Sequence, residues 1–166
     1  MRRKRRKWWI PGLAALLVAG VALYVLLPRE EARAGGSSEE VKKLVAYVKG
    51  DAAWNLKLQA LEKLVNQASD SAVEDELEAL AKGGDEKLAI YSTSALGRRG
   101  GSTARTKLKS LLTDGKAAKT VRLTALSVIV YQWKDSDDLS WLESETKGDS
   151  DLAAQFSWLK KNAYGK

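Results

Sequence analysis

Cysteine and histidine are both missing from this chain of 166 residues, and it has only two prolines, one phenylalanine and no Asn-x-Ser/Thr acceptor. Without cysteine there is no thiol chemistry and no disulfide. Without histidine as well, Cys/His metal sites and every His-dependent triad are excluded. The 128 residues from Glu39 onward are enough to bury a core unaided by disulfides, so the missing cysteine is compatible with an oxidising compartment. The lack of a glycosylation acceptor fits a bacterial envelope protein better than a eukaryotic secretory one. No complete catalytic motif is present, and the sequence predicts a non-enzymatic protein with no cofactor and no metal.

What is present is charge, and it is unevenly placed. The formal net charge is +7 and the isoelectric point is about 9.5, but Arg2, Arg3, Lys4, Arg5, Arg6 and Lys7 supply six of those charges. From Glu39 onward, 20 Lys/Arg face 19 Asp/Glu, so the remainder is nearly neutral. A basic cluster beside a first hydrophobic segment reads as a topogenic signal rather than a nucleic-acid surface.

The hydrophobic segment is residues 8–27, twenty uncharged residues that would span about 30 Å as a helix, the thickness of a bilayer core. Trp8 and Trp9 suit the headgroup level, and Gly12, Ala15, Ala19 and Ala22 share one helix face as a candidate packing seam for another transmembrane helix. The expectation is a single-pass protein of the inner (cytoplasmic) membrane. Its basic tail, residues 1–7, would lie in the cytoplasm, and residues 28–38 would link the span to an extracytoplasmic domain in the bacterial periplasm. Cleavage after Ala34 is the alternative, since Ala32-Arg33-Ala34 fits the small-residue rule for signal peptides.

Glycine punctuates the domain. Gly50, Gly84, Gly115 and Gly148 are separated by 34, 31 and 33 residues, a period typical of helical repeats. Apolar residues recur at helical spacing between them, as in Trp54, Leu58, Leu61 and Val65, or Val73, Leu77 and Leu80. Three helix pairs flanked by a leading helix (Val41, Leu44, Val45, Val48) and a trailing one (Leu152, Phe156, Leu159) give eight helices and essentially no strand. Ser37/Glu40, Ser71/Glu74 and Ser140/Glu143 have the spacing of capping boxes that open helices. Residues 121–133 are apolar on nearly every side, as expected of a helix enclosed by its neighbours.

Residues 87–112 resemble a HEAT or HEAT-like repeat: Ala95-Leu96-Gly97 closes a first helix and Leu108-x-x-Leu111-Leu112 lies in the second. The resemblance extends to 39–166 by period and implies an all-α fold, a short α-solenoid of about eight antiparallel helices. Repeats of this kind serve as scaffolds, so the family does not supply a ligand.

Two motifs are weak. Ser157-Trp158-Leu159-Lys160 fits the Ser-x-x-Lys of penicillin-recognising enzymes, but its partner motifs are absent. Asp135, Asp137 and Asp138 resemble the start of a calcium loop without its glycine, and helix capping accounts for them more simply.

Charge blocks are the stronger signal. Residues 70–86 hold seven acids and one lysine, 98–122 hold eight cations and one acid, and 135–151 again seven acids and one lysine. The basic block, Arg98, Arg99, Arg105, Lys107, Lys109, Lys116, Lys119 and Arg122, is the candidate partner-binding surface. Arg98 and Arg99 come first because a turn before Gly100-Gly101 would expose both. Alternatively the blocks neutralise one another across adjacent helices. Nucleic acid is disfavoured, since no aromatics interleave with these cations. The sequence reading is therefore a membrane-anchored scaffold or adaptor that docks an envelope protein, an acidic one where the basic block is the contact, with homo-oligomerisation through the transmembrane helix also open. A non-catalytic or carboxylate-dependent subunit of an envelope-polymer-modifying enzyme complex and a self-associating structural envelope protein are the alternatives.

Overall fold

The computed structural model describes residues 38–67, 71–133 and 136–164. These form eight helices and no strand: α1 (Ser38–Lys49), α2 (Trp54–Asn66), α3 (Ser71–Ala81), α4 (Glu86–Arg99), α5 (Gly101–Thr113), α6 (Lys119–Gln132), α7 (Ser136–Thr146) and α8 (Ser150–Tyr164). The basic tail, the apolar segment with Gly12, Ala15, Ala19 and Ala22, and nearly all of the linker lie outside the described residues. Among the described residues no helix is long and apolar enough to cross a membrane. The longest has 15 residues, about 22 Å at the helical rise against about 30 Å of hydrocarbon. This corrects the expectation of a single-pass inner-membrane protein with an extracytoplasmic domain.

The helices stack in two rows. α1, α3, α5 and α7 form one, and α2, α4, α6 and α8 the other. Within the rows α1 packs on α3 and α3 on α5, while α2 packs on α4, α4 on α6 and α6 on α8. Between the rows, α1 pairs with α2, α3 with α4, α5 with α6 and α7 with α8. Each of these four pairs is joined by a turn carrying one of the periodic glycines. The glycine period therefore counts hairpins. A helix that touches its chain neighbour and the next helix but one is the local signature of a helical solenoid.

Local chemistry sets the ends. Asp85 caps α4, its carboxylate accepting from the Leu88 N–H at 3.0 Å. Asp149 precedes α8 and accepts from Asp151 N and Leu152 N at 3.1 and 3.2 Å. Of the three expected capping boxes, Ser37 lies outside the described residues, Ser140 falls inside α7, and Glu74 serves an ion pair described below. The turn from α4 to α5 is a single residue, Gly100, at φ 68°, followed by Gly101 at φ 78°. Left-handed φ at two consecutive positions is cheap only for glycine, which explains why both stand here.

The core runs along the interface between the rows. α4 and α6 lie innermost, and nearly every residue from Leu88 to Arg99 and from Thr124 to Val130 is buried. Both helices are thus enclosed as the all-round apolar pattern of α6 predicts. At Gly97 the two helices come so near that an added Cβ would overlap Val128 Cγ1. Gly97→Ala is expected to destabilise the domain by about 1–3 kcal/mol, overpacking outweighing alanine's better helix propensity. Combining it with Val128→Ala should cost less than the two single effects summed. Urea unfolding of the three variants checks this; strict additivity would place the contact elsewhere.

Candidate functional site

The basic block is gathered on α4, α5, α6 and, for Lys116, the turn between α5 and α6, and acids of adjacent helices and turns meet most of it. Lys107 Nζ lies 2.6 Å from Asp75 Oδ1 and 2.7 Å from Glu78 Oε2, both on α3. Arg105 and Lys109, on successive turns of α5, converge on Asp138 of α7 at 2.5 and 2.8 Å. Lys109 also lies 4.5 Å from the ring centroid of Trp141. Lys119 pairs with Asp151, and Arg122 Nη1 meets Asp149 Oδ2 at 2.9 Å. Lys116 alone of the eight makes no ion pair among the described residues; only its backbone N–H bonds Asp114, at 2.9 Å. The sign alternation read from the sequence thus becomes pairing from helix to helix.

Arg98 and Arg99 are not in a turn and not exposed. Because the turn has shrunk to Gly100, α4 runs through both, and they are 8% and 2% exposed. Arg98 pairs with Glu62 of α2. Arg99 Nε donates to Glu74 Oε1 of α3 at 3.0 Å, and its Nη1 donates to the carbonyls of Val65 and Gln67 at 3.1 and 2.5 Å. Those carbonyls belong to the C-terminal end of α2, where no intrahelical donor remains. The guanidinium, with five donors in a planar fork, suits that task as lysine does not. Arg122 does the same further along the stack: its Nε donates to Leu112 O at the end of α5, at 2.9 Å, while Nη1 holds the cap of α8.

Asp138, read from sequence as a helix cap in preference to part of a calcium loop, is 1% exposed and engaged by two cations. Among the described residues no group of acids could hold a metal ion. Ser157 is exposed on α8, and Lys160 lies 3.5 Å from Glu143, so the Ser-x-x-Lys match assembles no site. Tyr131, Trp133 and Trp141 pack against the core. Trp158 stays 47% exposed.

With the block internally matched, the accessible feature is elsewhere. A groove of about 320 Å³ runs between α1 and α2, lined by Glu40, Lys43, Leu44 and Tyr47 on one side and Leu56, Gln59, Ala60 and Lys63 on the other. Both sets have the i, i+3, i+4, i+7 spacing of a single helix face. Tyr47 and Leu56 are two of the three exposed large hydrophobics among the described residues. Sequence reasoning misses this site because Leu44 counts there toward the core stripe of α1, which leaves the second stripe unread; its helical spacing is the signal that could have found it. A larger hollow of about 520 Å³ between the α3–α4 and α5–α6 turns is lined by Lys82, Glu86, Asp114 and Lys116 among others, with signs balanced and glycine and alanine between.

The carboxylates show how tightly charge is matched. Burial pushes Glu78 up, but hydrogen bonds from Lys107 and Lys82 outweigh it and hold the group below its usual value of 4.5. Hydrogen bonding to Asp75 and Glu78 raises Lys107 above the ordinary lysine range. Asp149 is lowered from 3.8, first by the Leu152 N–H, with the Asp151 N–H and Arg122 adding to it against desolvation. Neither shifted carboxylate is raised, as a general acid would require.

Arg99→Met is expected to cost about 3–5 kcal/mol by stranding Glu74 in the interior, and Arg99→Met with Glu74→Leu should recover much of the loss; chemical denaturation of both measures it. Groups whose folded pKa is depressed stabilise above their unfolded pKa and lose that contribution as pH falls through the folded value. With Glu78 and Asp149 lowered, the melting temperature should hold from neutrality to about pH 5 and decline below it. Glu78→Gln should flatten that acid limb.

Comparison with protein-family models, with curated proteins and with solved structures gives no match for this chain.

Proposed function

We propose that the chain is a HEAT-like α-solenoid acting as a protein–protein interaction scaffold or adaptor, and that it engages its partner through the open α1/α2 end. Three features support the repeat reading: the two-row stacking, the glycine-marked hairpins at regular spacing, and Ala95-Leu96-Gly97 in the last turns of α4, with Gly97 against Val128 of α6. The observation that carries the binding reading is the groove. Inside the stack a helix's outward side chains meet the next helix; at the α1/α2 end they meet none among the described residues, and Tyr47 and Leu56 both stay exposed there, against Trp158 alone on α8 at the other end. Terminal repeats that need no partner carry a polar outer face, and this end does not.

The basic block has a different role in this reading. Its cations hold the repeats in register, so docking does not depend on Arg98, Arg99 or Arg105. The groove offers apolar floor and polar rim at once, the composition of a transient interface.

A photo-crosslinking residue at Leu56 in the full chain, with the same residue at Lys116 as control, tests this. A covalent product with a second polypeptide is expected at position 56, and Tyr47→Glu should abolish it. Equal products at both positions, or products indifferent to Tyr47→Glu, would count against the reading.

A further inference from the structure

We propose that the occupant of the α1/α2 groove is one amphipathic helix of a partner protein, with an apolar stripe flanked by carboxylates. The inference rests on the scaffold reading and adds the chemistry of the partner.

The register of the stack defines what the groove expects. In the row α1, α3, α5, α7, a residue one position before a core residue faces the preceding helix. Glu76, before Leu77, reaches back to Lys49 at 3.5 Å, and Lys107, before Leu108, reaches back to Asp75 and Glu78. A residue one position after a core residue faces the following helix, as Lys49 does after Val48, Glu78 after Leu77 and Lys109 after Leu108. In α1 the backward positions are Glu40, Leu44 and Tyr47, directly before the buried Val41, Val45 and Val48. All three line the groove. The groove is therefore the position of one more helix in the stack, and a helix is the shape that fills it.

The sign of that helix follows from charge complementarity. Along the row, acidic α3 and α7 alternate with basic α5, and each contact pairs opposite signs. Lys43 and Lys63 flank the groove and make no ion pair among the described residues, whereas seven of the eight central cations are matched. Two unmatched lysines beside an apolar floor of Leu44, Tyr47, Leu56 and Ala60 select carboxylates on either side of an aliphatic stripe, the composition that α3 itself presents to α5. Glu40 is the one acid on the lining and lies in the first turn of α1, at one end of the groove.

The test uses the full chain and two labelled synthetic helices of about 18 residues, long enough to hold helical structure in solution. They share one leucine stripe and carry either glutamates or lysines beside it. Fluorescence anisotropy at low salt should show the glutamate peptide binding at least about tenfold tighter. Lys43→Glu with Lys63→Glu should reverse that preference, and Tyr47→Ala should weaken both peptides without changing the helical circular dichroism. Equal binding of the two peptides, or a preference that survives the double charge reversal, overturns the proposal. So does a dimer of the full chain in sedimentation that Tyr47→Ala dissolves and neither peptide displaces, because the occupant is then a second copy. If neither peptide binds while position 56 still crosslinks to a second polypeptide, the acidic helix is wrong and the scaffold stands; loss of both removes the scaffold reading too.

Discussion

A single guanidinium sits where three helices would otherwise come apart. Arg99 ends α4, is shut off from water, and satisfies at once the open carbonyls of α2 and the carboxylate of Glu74 on α3. Removing a charge from water costs several kcal/mol unless its hydrogen bonds are replaced in full. Here the backbone of a helix end supplies the replacements, and that end needs donors as much as the arginine needs acceptors. The arrangement fixes the hairpin α3/α4 against the end of α2, and with it the spacing between the first repeat and the second. Arg122 repeats the device between α5 and the start of α8.

This constraint explains why a chain so rich in charge has so little of it to offer. The interfaces between hairpins in the first row are polar at the rim and apolar beneath, with Lys49–Glu76, Lys107–Asp75 and Lys109–Asp138 marking successive steps. Of these only Lys49–Glu76 is an isolated exposed pair, and such a pair contributes about 0–1 kcal/mol. The larger effect of these pairs is on which helix lies beside which, because stacking acidic α3 directly on acidic α7 would bring like charges together. The apolar core beneath is built from leucine, valine and alanine and does not itself distinguish one register from another so sharply. Stability comes mostly from the inner pair α4 and α6, and specificity of stacking from the charged rim.

The architecture is largely legible in the sequence for physical reasons that are easy to locate. Helices show in the apolar spacing, hairpins in the glycine period, and the buried position of α6 in the absence of any polar face. Arg98 and Arg99 are misplaced by sequence reasoning because Gly100-Gly101 reads as a loop of ordinary length. Left-handed geometry at both glycines compresses the connection to one residue, and two arginines that a longer loop would expose are carried inward. Their partners Glu62 and Glu74 lie 36 and 25 residues earlier in the chain, separations that local pattern cannot bridge. Asp138 is obscured in the same way, its two cations arriving from α5. The groove is hidden for another reason: a stripe that faces out is recognisable only once it is known which helix neighbours it and which does not.

The glycine-marked turns and the Gly100 turn lie at opposite edges of the stack, because neighbouring helices alternate in direction. At Gly84, Gly115 and Gly148 a side chain would meet open space, and none of these positions needs a left-handed backbone. The other edge holds the one-residue connection and the buried Arg99. The two margins of the same molecule therefore differ in how freely they can change: one can lengthen its loops and acquire new segments repeat by repeat, while the other is held to its present length at the α4–α5 connection by a guanidinium bonded to carbonyls and by two glycines.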